Sequence, residues 1–147
     1  MDEECLARGQ WLKTHKPKWI GRWALFVNNT IVRLMFLYPK AEPVKADLTV
    51  GDEGLPLDDY GIPGRILYTP GHTVGSLSVL LDSGEAFVGD LAMNKFPLRR
   101  NSGVPVLADD VEKVKDSWRN LMELGAVTVY PGHGKPFSIE AIRKALR

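Results

Sequence analysis

Three polar side chains in the 147-residue sequence share one setting: His72 in TPGHT (69–73), Asp90 in GD (89–90) and His133 in YPGHG (130–134). Each has a glycine immediately before it and closes an apolar run: RILYTP, EAFVG and VTVYP. Loops at strand ends are where a rigid sheet presents reactive groups, and glycine lets the backbone turn tightly enough to aim the next residue. Two neutral imidazoles and one carboxylate form a ligand set for zinc or iron, so His72, Asp90 and His133 are the candidate metal ligands. Singly, each has a plainer explanation, since a histidine in a turn is usually solvated and aspartate after glycine is a common turn residue. The joint occurrence of PGH twice and GD once, all at strand ends, is what points to a site.

Other polar residues fit solvated roles. His15 in KTHKPK lies among lysines, which disfavour a cation there. Ser76 and Ser78 alternate along a strand with no histidine and acid pair to activate either, which argues against serine hydrolysis. Lys95, Arg99 and Arg100 form a basic loop that suits either solvent or an anionic substrate.

The elements that must carry these residues follow from periodicity. WIGRWALFVNNTIVRLMFLY (19–38) has helical spacing with apolar residues on most of its surface, ended by Pro39 and Pro43. From Ala46 the period becomes two, predicting strands in ADLTVGD, RILYTP, GSLSVLLDSG and EAFVGD, with DSG (82–84) as a hairpin turn. Residues 91–107 lack periodicity and are expected to form a loop. Asp109 and Glu112 have capping-box spacing. A helix then carries Val111, Val114, Trp118, Leu121 and Met122 as far as Gly125. A strand AVTVYP, a turn GHGKP and a short helix from Ser138 complete the chain.

These motifs, in this order, resemble the later motifs of the metallo-β-lactamase superfamily, especially its glyoxalase II-like hydrolase branch. The likeness extends through ADLTVGDEGLPL and IPGRILYTPGHT and covers residues 46–147. It implies an α/β fold, part of an αββα sandwich, with a mostly antiparallel or mixed sheet and flanking helices. Members commonly use metal-activated water to attack an ester, thioester, amide or phosphodiester. By this resemblance His72 is the late histidine of a first metal site, Asp90 the bridging carboxylate and candidate catalytic residue, and His133 a histidine of a second site. The family's His-x-His-x-Asp-His signature is absent: the sequence holds three histidines, at 15, 72 and 133. The expectation is therefore the C-terminal half of such a fold, with an incomplete site and no activity from this chain alone. One ion at most, zinc or else iron or manganese, would be weakly held.

Composition bounds the rest. One domain over 1–147 is expected, with 1–45 as a helical lead-in and 46–147 bearing the motifs. Nineteen basic and eighteen acidic residues leave a net charge of +1, with no footprint for nucleic acid. The single Cys5 and the acidic start MDEECLARGQ suggest a reducing, cytoplasmic setting without an export signal. Arg22 and Arg33 within 19–38 would each cost about 2.5 to 3.5 kcal/mol in a bilayer centre, which argues against a spanning helix. A small-molecule substrate is expected if the chain is active. The competing readings are a silent homodimeric remnant, and a membrane-surface or partner-docking protein working through helix 19–38.

Overall fold

The segment Gly64–Tyr68 buries Leu67 and turns Ile66 and Tyr68 the other way, as a period of two requires. In the computed structural model, which describes residues 45–95, 103–105 and 107–147, this segment belongs to a six-stranded sheet. Its strands are β1 (Leu55–Pro56), β2 (Gly64–Tyr68), β3 (Leu77–Leu81), β4 (Glu85–Asn94), β5 (Thr128–Gly134) and β6 (Phe137–Ser138), accompanied by helices α1 (Val111–Glu123) and α2 (Glu140–Ala145). The strands lie across the sheet in sequence order. All neighbours are antiparallel except β4 and β5, which run parallel. A parallel pair needs a crossover connection, and α1 lies within it. The mixed sheet with its helices is the expected α/β class. All of these elements lie in the unit Leu48–Arg147.

One sheet face and both helices share a core. Leu67, Leu80, Ala86, Val88 and Val129 meet Val114, Trp118, Leu121 and Ile142 in a single buried cluster. Helical spacing placed Val114, Trp118 and Leu121 on one stripe, and all three are fully buried. The opposite face is also apolar. Leu55, Ile66, Val79, Phe87 and Tyr130 are successive register partners across five strands. Phe87 and Tyr130 stack with ring centroids 4.7 Å apart, yet Phe87 remains 43% exposed and Leu77 42%.

Several boundaries differ from expectation. The segment ADLTVGD forms no strand; Leu48 is 59% exposed, so its alternation has nothing to bury against, and pairing starts only at β1. Residues 91–94 are not loop but the end of β4, where Leu91, Ala92 and Met93 are all buried. A strand covered on both sides gives a continuous apolar run, which periodicity does not distinguish from an irregular segment. The GHGKP turn is shorter than expected, because β5 continues through Gly134. The helix 19–38, His15, Arg99 and Arg100 lie outside the described residues. Among the described residues no helix is long and apolar enough to cross a membrane.

The cap of α1 also shifts by one. Asp110, not Asp109, is the N-cap, and its Oδ1 accepts from the amides of Glu112 and Lys113 at 3.0 and 3.1 Å. The Asp109 amide donates to the His72 carbonyl at 3.1 Å and the Asp110 amide to the Gly71 carbonyl at 3.0 Å, so the chain entering the helix lies on the His72 loop. Asp110→Ala is expected to cost about 1 kcal/mol of stability. Urea denaturation checks this through a lowered midpoint at unchanged slope; an unmoved midpoint would show that the cap contributes nothing.

Candidate metal centre

The fold brings His72, Asp90 and His133 together, by two different routes. His133 and Asp90 lie on β5 and β4, which pair directly, with Gly89 opposite Pro131 and Met93 opposite His133. Between those pairs four steps of β4 are matched by two of β5. Such a bulge re-aims side chains and is common beside functional sites. Asp90 stands inside it, just after Gly89, whose φ is +53°.

His72 arrives on the loop after β2, a segment tied up by its own hydrogen bonds. The Thr69 amide donates to the Ser76 carbonyl at 3.0 Å, and Tyr68 Oη donates to the Val74 carbonyl at 2.9 Å. Ser76 Oγ also accepts from the Thr73 amide at 3.1 Å. Ser78 is buried against Thr69 at 2.7 Å, a structural role in keeping with the case against serine chemistry.

Within the trio, His72 Nε2 lies 3.6 Å from Asp90 Oδ2, and His133 Nε2 lies 3.6 Å from Asp90 Oδ1. Each imidazole therefore faces a different carboxylate oxygen. These separations exceed hydrogen-bond length. Two ligands at about 2.1 Å from a tetrahedral ion stand about 3.4 Å apart, close to the observed spacing. His72 Nδ1 lies 2.7 Å from the Leu107 carbonyl. A carbonyl only accepts, so Nδ1 carries the proton, and in the neutral ring Nε2 is a bare acceptor facing another acceptor. Imidazole nitrogen and carboxylate oxygen are both donor types that zinc and iron accept.

Among the described residues no three His, Cys, Asp or Glu side chains gather as a set able to hold one ion. The same geometry accounts for this, since the histidines diverge onto separate oxygens. The site is also open, with the side chains of His72, Asp90 and His133 22%, 37% and 49% exposed. Ion pairs this accessible contribute little, so the backbone and not mutual attraction holds the trio.

One contributor escaped the sequence reading, and a second was read there only as a turn glycine. The Leu107 carbonyl is a backbone group without any residue signature. Gly132 matters through what it lacks: a Cβ there would stand 2.7 Å from Asp90 Oδ1, so the carboxylate occupies space that another residue would fill.

The chain resembles known proteins in sequence and in fold. A family profile for the Metallo-beta-lactamase superfamily matches residues 6–133. An archaeal metallo-beta-lactamase superfamily protein from Sulfolobus tokodaii superposes with a TM-score of 0.53 at 26% identity, over 86% of this chain and 51% of its own. A metallo beta lactamase from Erythrobacter litoralis gives 0.53 at 25%, over 82% and 53%. A metallo-beta-lactamase family protein from Thermus thermophilus gives 0.56 at 22%, over 99% and 50%, a likeness of fold. The chain spans about half the length of these structures.

His72 should show the Nδ1-protonated tautomer in long-range proton–nitrogen spectra of the neutral ring. A predominance of the Nε2-protonated form would contradict the bond to Leu107.

Proposed function

Because the chain belongs to the metallo-beta-lactamase superfamily, we propose that it retains part of a metal-dependent hydrolase centre, with His72, Asp90 and His133 as the surviving ligands. One observation carries the reading: each imidazole Nε2 lies 3.6 Å from its own oxygen of Asp90. When bound, a cation at such a site lowers the pKa of water, polarises the bond under attack and stabilises developing negative charge. The protein's part is positional. Asp90 stands between the two imidazoles, the Leu107 carbonyl holds the His72 proton on Nδ1, and the open rim admits water and substrate. The substrate class is an ester, thioester, amide or phosphodiester of a small molecule.

The donor count limits what the chain does alone. No His-x-His-x-Asp-His stretch occurs in the sequence, so each ion position has one imidazole and one carboxylate oxygen. Such a site holds one zinc at most, or iron or manganese, and holds it weakly. Full activity requires the remaining ligands from another polypeptide segment. The expected outcome of zinc loading and dialysis is at most one zinc per chain, lost in His72→Ala and in Asp90→Ala. Metal analysis that finds no zinc retained at micromolar concentration would sink the metal reading for this chain.

A second reading is favoured by the apolar row from Leu55 to Tyr130: a silent remnant that persists as a homodimer. Exposed apolar faces drive association, since burial yields about 25 cal/mol per Å². A twofold pair closes such a face most simply. Sedimentation should then give twice the chain mass of 16.4 kDa; a monomer at micromolar concentration would contradict it. The lone Cys5 supports a cytoplasmic location.

A further inference from the structure

The two legs of the trio are not built alike. Asp90 and His133 sit on strands that pair on both sides of them, at Gly89 with Pro131 and at Met93 with His133. No ladder spans Asp90 and His72. Strand β2, which leads to His72, is separated from β4 by β3. The pairing of β3 with β4 is registered only at Val79 with Phe87 and Leu80 with Ala86, short of Asp90. The Asp90 to His72 leg therefore needs another support.

That support is α1. Ser117 Oγ donates to the Pro70 carbonyl at 2.7 Å, two residues before His72. Trp118 Nε1 donates to the Leu91 carbonyl at 3.1 Å, one residue after Asp90. Both donors are buried, Ser117 at 6% exposure and Trp118 at 0%. The amide of Asp110 donates to the Gly71 carbonyl at 3.0 Å, alongside the Asp109 bond to His72. Gly71 has a φ of +138°, and a Cβ on it would collide with the Val114 backbone. The His72 loop thus lies directly on the first turns of the helix, while the same helix grips the strand bearing Asp90.

We propose that Ser117 and Trp118 are positioning residues that together set the distance between His72 and Asp90, while the β4–β5 ladder independently sets the distance between Asp90 and His133. Adjacent helix positions with fixed side chains act as a rigid spacer: one end holds the loop, the other holds the strand. This assignment rests on the metal reading above, but the spacing it describes exists without an ion.

The test uses the full chain without metal, with Asp90→Asn as the probe. Imidazole nitrogen signals of both histidines are recorded at one fixed pH. In the parent, Asp90→Asn should shift the signals of His72 and His133, because each faces one carboxylate oxygen. In Ser117→Ala and Trp118→Phe backgrounds the His133 response should persist while the His72 response falls to less than half. An undiminished His72 response in both backgrounds would overturn the proposal, as would equal loss at both histidines. Trp118→Phe keeps an aromatic ring in the core; if it fails to fold, Ser117→Ala carries the comparison alone. Zinc titration gives the second arm, with affinity expected to drop roughly 10- to 100-fold in either variant. A parent that binds no zinc refutes the metal reading and leaves the spectroscopic result to stand on its own.

Discussion

Asp90 stands between two imidazole nitrogens, each 3.6 Å from its own carboxylate oxygen, a separation too long for a hydrogen bond to draw the groups together. The fold compels the arrangement. Asp90 stands in a bulge of β4, β5 delivers His133 beside it, and the loop after β2 brings His72 to the other oxygen. Everything else in the described unit can be understood as support for that trio. The core under α1 and α2 fixes the strands, and the hydrogen bonds within residues 68–76 fix the loop.

Much of this was legible in the residues. The glycine before each of His72, Asp90 and His133 singled out the trio, but the expected turn exists only at His72, which follows β2; Asp90 and His133 lie within β4 and β5, strands that continue past the glycines. The stripe of Val114, Trp118 and Leu121 was visible as helical spacing, and Gly125, at φ +93°, ended the helix as expected. What escaped is equally specific. Leu91, Ala92 and Met93 lack alternation because the end of β4 is buried on both sides. Asp110 displaced Asp109 as the cap because its carboxylate is the one that reaches the Glu112 and Lys113 amides, while the amides of both aspartates are tied to the His72 loop, a tertiary contact that local spacing does not encode. The Leu107 carbonyl, being backbone, has no signature, and Gly132 looked like one more turn glycine until the carboxylate beside it was seen.

The described unit separates chemistry from cohesion. Its helix-covered face holds the apolar cluster, its other face presents the row from Leu55 to Tyr130, and the polar trio stands apart from both. The chain that carries them spans about half the length of the structures it resembles.

The contacts that shape the trio join distant parts of the chain. The bond from His72 to Leu107 spans 35 positions, and that from Ser117 to Pro70 spans 47. Closing loops of that size costs entropy before any reward, so such contacts form after local hairpins during folding. The hairpin of β3 and β4 is local, but the trio acquires its geometry only when the crossover has docked. The spacing of His72 from Asp90 is therefore a late-maturing property, present in the finished molecule and missing from its collapsed precursors.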